Sequence, residues 1–145
     1  MKLEIKTISE KETEYIEIGC HKIDDRVNEI VQFVKQRQGS IDAFKDEKIY
    51  KILIADILYV ESVDDRTFIY LAEECYESRK RLYEFESVLP TRQFARISKA
   101  VIVNLMKISY IKPALNGRFL CRLKNGEQVI ISRRYVPDIK EKLKR

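Results

Sequence analysis

From Tyr50 onward the chain consists of short apolar and β-branched runs separated by turn residues, a spacing that restricts the fold to a mostly β domain. Tyr50–Ile54 and Ile57–Glu61 are split only by Ala55 and Asp56. Thr67–Leu71 and Glu74–Glu77 read as a hairpin around Ala72 and Glu73. Phe94–Ile97 and Val101–Asn104 follow as strand or irregular pieces. Ile108–Lys112, Phe119–Leu123 and Gln128–Ile131 read as a meander turning at Asn116-Gly117 and Asn125-Gly126. Both dipeptides favour the positive φ that tight hairpins require. Two helices interrupt this pattern. Ser78 is placed to cap one over Arg79–Leu89, closed by Pro90, with Leu82, Phe85 and Leu89 at helical spacing. Tyr135–Leu143 reads as the second, with Ile139 and Leu143 as its apolar pair.

Residues 1–45 read differently, as a small ββα annex to a main domain over residues 46–145. Lys2–Ile8 and Thr13–Gly19 alternate as strands do, around a polar turn at Ser9–Glu12. Asp24 and Asp25 then precede Val27, Ile30, Val31 and Val34, an apolar stripe at helical period. Acids suit the positive end of the helix dipole, and Gly39 is placed to stop the helix. The stripe packs within the chain or pairs with another copy as a homodimer. The expected class is α+β, dominated by β structure, and 145 residues suffice for one compact domain plus the annex.

Charge divides the chain just as sharply. Residues 92–145 hold fourteen Lys or Arg against three acids, a formal +11, while the preceding residues sum to −6. Residues 1–49 carry −2, so the annex is a poor phosphate-binding surface. A basic half carried on hairpins is the electrostatic footprint of a DNA-backbone binder. Other classes find little support. No run approaches a membrane span or a signal peptide. Cys20, Cys75 and Cys121 are far apart and in no zinc spacing, which fits reduced thiols in a cytoplasmic protein. A single His, no Gly-rich phosphate loop and no nucleophile elbow leave no enzyme machinery, so no catalytic residue, metal or cofactor is expected.

Three ordered runs carry a family resemblance: IADILYVESVDDRTFIYL over Ile54–Leu71, FARISKAVIVNLMKISYIKPALNGRF over Phe94–Phe119, and LKNGEQVIISRRYVPDIKEKL over Leu123–Leu143. Together these resemble the LytTR-type DNA-binding domain of bacterial transcription regulators, over roughly residues 45 to 144. The resemblance implies antiparallel strands in stacked sheets, without a helix-turn-helix. It implies loops at one sheet edge that reach successive major grooves of double-stranded promoter DNA, commonly at paired direct repeats. Most such regulators carry a phosphoacceptor receiver domain, but only about 45 residues precede the motif here, too few for that fold. The chain therefore resembles stand-alone members, often encoded beside a small membrane protein that is a candidate partner.

Site residues follow from position in those motifs. Arg134, before the last helix, is the expected base reader, since its planar fork suits bidentate guanine contact. Arg133 beside it suits a phosphate or a carboxylate. Lys99 suits guanine or phosphate, against the alternative of a solvated charge. Arg66 and Thr67 occupy the first loop, where an ion pair of Arg66 with Asp64 or Asp65 competes with DNA. Arg96, Ser98 and Ser132 suit phosphate oxygens. Asn104 reads as a structural residue that satisfies turn amides. A module binding an acidic protein explains the charge nearly as well as DNA does, and an RNA-binding β module would need exposed aromatics beside Lys99 and Arg134.

Overall fold

The computed structural model describes residues 1–144; Arg145, counted among the bases above, lies outside the described residues. Helix α1 (Asp25–Arg37) opens the ordered elements, with the Asp24 carboxylate accepting the Val27 N–H at 3.1 Å. It stops before Gly39, whose φ of +99° continues no helix. Ten strands follow among the described residues: β1 (Ser40–Lys45), β2 (Lys48–Leu53), β3 (Tyr59–Val63), β4 (Arg66–Tyr70), β5 (Cys75–Ser78), β6 (Phe94–Ser98), β7 (Val101–Asn104), β8 (Ile108–Pro113), β9 (Phe119–Leu123) and β10 (Gln128–Ile131). Helix α2 (Leu82–Val88) separates β5 from β6, and α3 (Val136–Leu143) follows β10. Among the described residues no helix is long and apolar enough to cross a membrane.

The strands form two antiparallel sheets. One has seven strands in the order β2-β1-β5-β4-β3-β7-β6, the other three in the order β10-β9-β8. Alternation explains how they stack. In β3 and its neighbours, Val60 pairs with Ile102 on one face, while Tyr59, Val103 and Ala95 align on the other. The first face packs with Ile69, Phe94 and the residues Leu82, Phe85 and Leu89 of α2 and its C-terminal end. The second packs with Cys121, Leu123 and Ile131 of the small sheet and with Val136 and Ile139 of α3. Each such aliphatic or aromatic side chain, fully buried, contributes roughly 1.5–3 kcal/mol. The central strands are therefore apolar on both sides, which is why they read as nearly continuous runs.

Polar ties fix the two sheets relative to each other. The Tyr59 hydroxyl donates to Glu127 at 2.9 Å, and Asn125 Nδ2 donates to the Ala72 carbonyl at 3.1 Å. Both bonds anchor the β9–β10 turn to the large sheet. Buried Asn104 donates to the Ile57 carbonyl at 2.8 Å and accepts the Met106 N–H at 3.0 Å. This is the geometry of a structural residue.

Several elements depart from expectation. Lys2–Ile8 and Thr13–Gly19 are not strands, because no neighbouring strand pairs with residues 1–24; of the expected hairpin only the turn at Glu10–Glu12 is present. Strand β1 is absent from the sequence reading; Asp46 and Glu47, both at positive φ, turn it tightly into β2. Helix α2 begins at Leu82 rather than Arg79, because Ser78 still belongs to β5, where it pairs with Thr67. The Ser78 hydroxyl accepts the Lys80 N–H at 3.1 Å, outside the helix. The helix N-terminus is closed instead by the Arg81 N–H donating to Glu84 at 3.2 Å. Of the α1 stripe Val27 alone is buried, with Ile30, Val31 and Val34 half-buried.

Candidate nucleic-acid interface

Strand register brings three connections to one end of the domain. The β3–β4 turn is Asp64-Asp65, with φ of 50° and 64°, and the β6–β7 turn is Lys99-Ala100. The third connection is Ser132–Tyr135, between β10 and α3. Two backbone hydrogen bonds lace them together. The Ser62 N–H donates to the Ala100 carbonyl, and the Ser132 N–H to the Ile97 carbonyl, each at 2.8 Å. The register shift in β6 between Arg96 and Ser98 falls at this junction. Bulges of this kind bend a strand and redirect the side chains beside it.

The expected site residues divide by what already holds them. Lys99, Arg133 and Arg134 are exposed, and among the described residues none of them forms an ion pair. The Arg134 guanidinium lies 5.7 Å from the Tyr135 ring centroid, and the Arg133 stem covers Gly117. Gly117 has a φ of +75°, and a Cβ there would meet Arg133 Cδ at 2.7 Å. Close approach and backbone conformation thus both favour glycine at that turn.

The remaining residues are less available. Thr67 is 2% exposed and faces Ser78 across the sheet, so its side chain is buried rather than presented at the edge. Arg66 is paired, but with Glu77 on the neighbouring strand rather than with Asp64 or Asp65; its Nε lies 3.1 Å from the carboxylate. That pairing pushes the Arg66 pKa up and holds Glu77 below the usual carboxylate range. Arg96 donates to Glu86 at 2.8 Å and to the Lys99 carbonyl, so it braces the turn that presents Lys99. The Ser98 hydroxyl accepts the Ala100 N–H at 3.2 Å within the same turn. Ser132 is half-buried, and its carbonyl accepts the Tyr135 N–H at 2.8 Å.

Two further arginines stand near this edge, one beside the β3–β4 turn and one in the β8–β9 turn that the Arg133 stem covers, and neither is among the residues the sequence reading selects. Arg81 follows β5 and donates to the Asp65 carbonyl at 3.0 Å, which places it beside the acidic β3–β4 turn. Arg118 lies next to Gly117 and donates to the Leu115 carbonyl at 3.2 Å. The run Arg79-Lys80-Arg81 is the available signal for the first, hidden by its assignment to a helix. Aromatic groups do not offer a stacking platform here. Tyr135 adjoins Arg134, but it is half-buried against the core and its face is taken by the guanidinium.

Comparison with known proteins agrees with this architecture. Residues 47–144 match the LytTr DNA-binding domain family. An "uncharacterized HTH-type transcriptional regulator" of Staphylococcus aureus (strain MSSA476) is 33% identical over 139 residues, covering 94% of each chain. The transcriptional regulatory protein YpdB of Escherichia coli O6:H1 is 35% identical over 109 residues, which are 74% of this chain and 44% of that protein. A solved LytTr DNA-binding domain from Bacillus cereus superposes with a TM-score of 0.68 at 27% identity, covering 72% of this chain and 95% of its own. The sheets and their order, the matched span and the relatives all point the same way: this chain belongs to the LytTR family of DNA-binding domains.

Proposed function

We propose that the chain is a cytoplasmic transcription regulator that binds double-stranded DNA sequence-specifically through the laced edge. The observation that carries this reading is the convergence of Lys99, in the β6–β7 turn, with Arg133 and Arg134, between β10 and α3, on two connections joined by a backbone hydrogen bond. All three are exposed, with no ion pair among the described residues. Cations so placed on a braced backbone bind phosphates without first breaking an internal pair. Arg134 reads a guanine edge in the major groove, and Lys99 serves a base or a phosphate. Arg133 clamps the backbone, while Arg96 and Ser98 hold the Lys99 turn in shape. Paired direct repeats in a promoter are the expected target. Residues 46–145 carry this activity, and residues 1–45 serve another role.

Gel-shift titration against the promoter of the chain's own operon, beside random duplex of equal length, tests the reading. Specific protein–DNA complexes are typically at least about 10³-fold tighter than non-specific ones. Equal affinity for both duplexes across several native promoters contradicts it. An acidic protein partner, the other explanation of the basic half, would be retained by the same surface without preference among DNA sequences.

A further inference from the structure

Acids are missing from a long stretch of the basic half. Residues 87–126 contain eight Lys or Arg and no Asp or Glu. The carboxylates that bracket this stretch are both engaged. Glu86 accepts from Arg96 at 2.8 Å, and Glu127 accepts from the Tyr59 hydroxyl at 2.9 Å, beside the β9–β10 turn. Arg118 stands at the other end of β9, in the connection from β8, and is exposed. Among the described residues it forms no ion pair. It is also the one arginine near the DNA edge that has been given no part in binding and no carboxylate to hold, since Arg81 has the Asp65 carboxylate at 3.9 Å.

The local backbone fixes where this side chain starts. The Ala114 N–H donates to the Arg118 carbonyl at 2.8 Å, and the Arg118 N–H to the Leu115 carbonyl at 3.3 Å. Asn116 and Gly117, inside that loop, turn the chain at φ of 61° and 75°. The side chain commits Nε alone to the turn, at 3.2 Å from the Leu115 carbonyl, and both Nη groups are unbonded among the described residues. A guanidinium held at one nitrogen loses less freedom when its remaining donors bind a phosphate. The turn also meets the laced edge directly. The Arg133 stem lies on Gly117, where a Cβ would come within 2.7 Å of Arg133 Cδ. Arg118 and Arg133 therefore rise from adjoining connections, and neither has a carboxylate to neutralise it.

We propose that Arg118 holds a phosphate of the DNA backbone, which makes the β8–β9 turn a further point of contact beside the loop of Arg133 and Arg134. The inference rests on the DNA reading above and adds a residue and a connection to it. Two unpaired cations on touching connections suit one run of a polyanion, and no acid of residues 87–126 opposes its approach. Arg118 supplies affinity and register on the duplex but no base preference, because phosphates carry no sequence information. Arg134 keeps the reading of bases.

Salt titrations of the full chain against its operator and against random duplex test the proposal. Arg118→Ala removes an exposed side chain and keeps both backbone hydrogen bonds of the turn, so the variant should fold. It should weaken binding to both duplexes by the same factor, on the order of tenfold. The slope of log K against log salt should become shallower by about 1. Arg118→Lys gives up the Nε bond but keeps the charge, and should retain the wild-type slope. An unchanged slope in Arg118→Ala, or an equal change in Arg118→Lys, would overturn the proposal and leave Arg118 as a brace of its turn. A loss confined to the operator would overturn it too, in favour of base contact. The wild type judges the DNA reading separately. Absence of operator preference would sink specific recognition while Arg118 is still decided by the slopes, and no binding to either duplex would sink both.

Discussion

Arg134 and Arg96 are both arginines of the basic half, yet they differ in how many donors remain unused. Arg134 lies over the face of Tyr135 and forms no ion pair among the described residues, whereas Arg96 is committed to Glu86 and to the Lys99 carbonyl. Arg134→Ala should therefore cost about 1–3 kcal/mol and relax preference at one base position. Competition over single-base operator variants measures this; an equal loss on every variant would make Arg134 a phosphate clamp. Arg96→Ala should lower affinity by loosening the Lys99 turn while leaving the salt dependence unchanged. A salt slope reduced by about 1 would instead identify Arg96 as a direct phosphate contact.

At the scale of elements, the turns carry as much information as the strands they join. Gly117→Ala should cost about 1 kcal/mol from its positive φ, more if Arg133 is displaced, and denaturant unfolding with a DNA titration separates the two effects. The strands from Tyr50 to Ile131 are legible in the sequence because their alternation and their Asn-Gly turns are local signals. Strand β1 is not, since Ile41 and Ala43 stand among Asp42, Lys45 and Asp46 and give only a short alternation. The arm errs the other way: its alternation is present, but no strand among the described residues pairs with it. At the proposed site, the exposed loop positions of Lys99, Arg133 and Arg134 are legible from the motif. The burial of Thr67 and the pairing of Arg66 with Glu77 are not, because both depend on cross-strand neighbours.

The whole molecule joins two sheets through Tyr59, and this gives the fold an alkaline limit. Burial, with the Glu127 carboxylate beside the hydroxyl, holds the Tyr59 pKa well above the ordinary tyrosine value. A raised pKa contributes stability that is complete below the unfolded value of about 10 and is lost as pH rises above it. Melting temperature should fall across that range, and Tyr59→Phe should make the fall shallower; an unchanged profile would assign the tie to packing alone. Charge sets the other global property. On the proposed reading, the exposed cations of the laced edge should dominate the salt dependence of DNA binding. The most direct test is the affinity for the native operator across a salt series, for the wild type and for the chain with Lys99, Arg133 and Arg134 all replaced by Ala. With about six phosphates neutralised, log K should fall against log salt with a slope of about −5, and loss of the phosphate contacts of Arg133 and Lys99 should bring the triple variant to about −4. An unchanged slope in the triple variant would place the DNA contact elsewhere on the molecule.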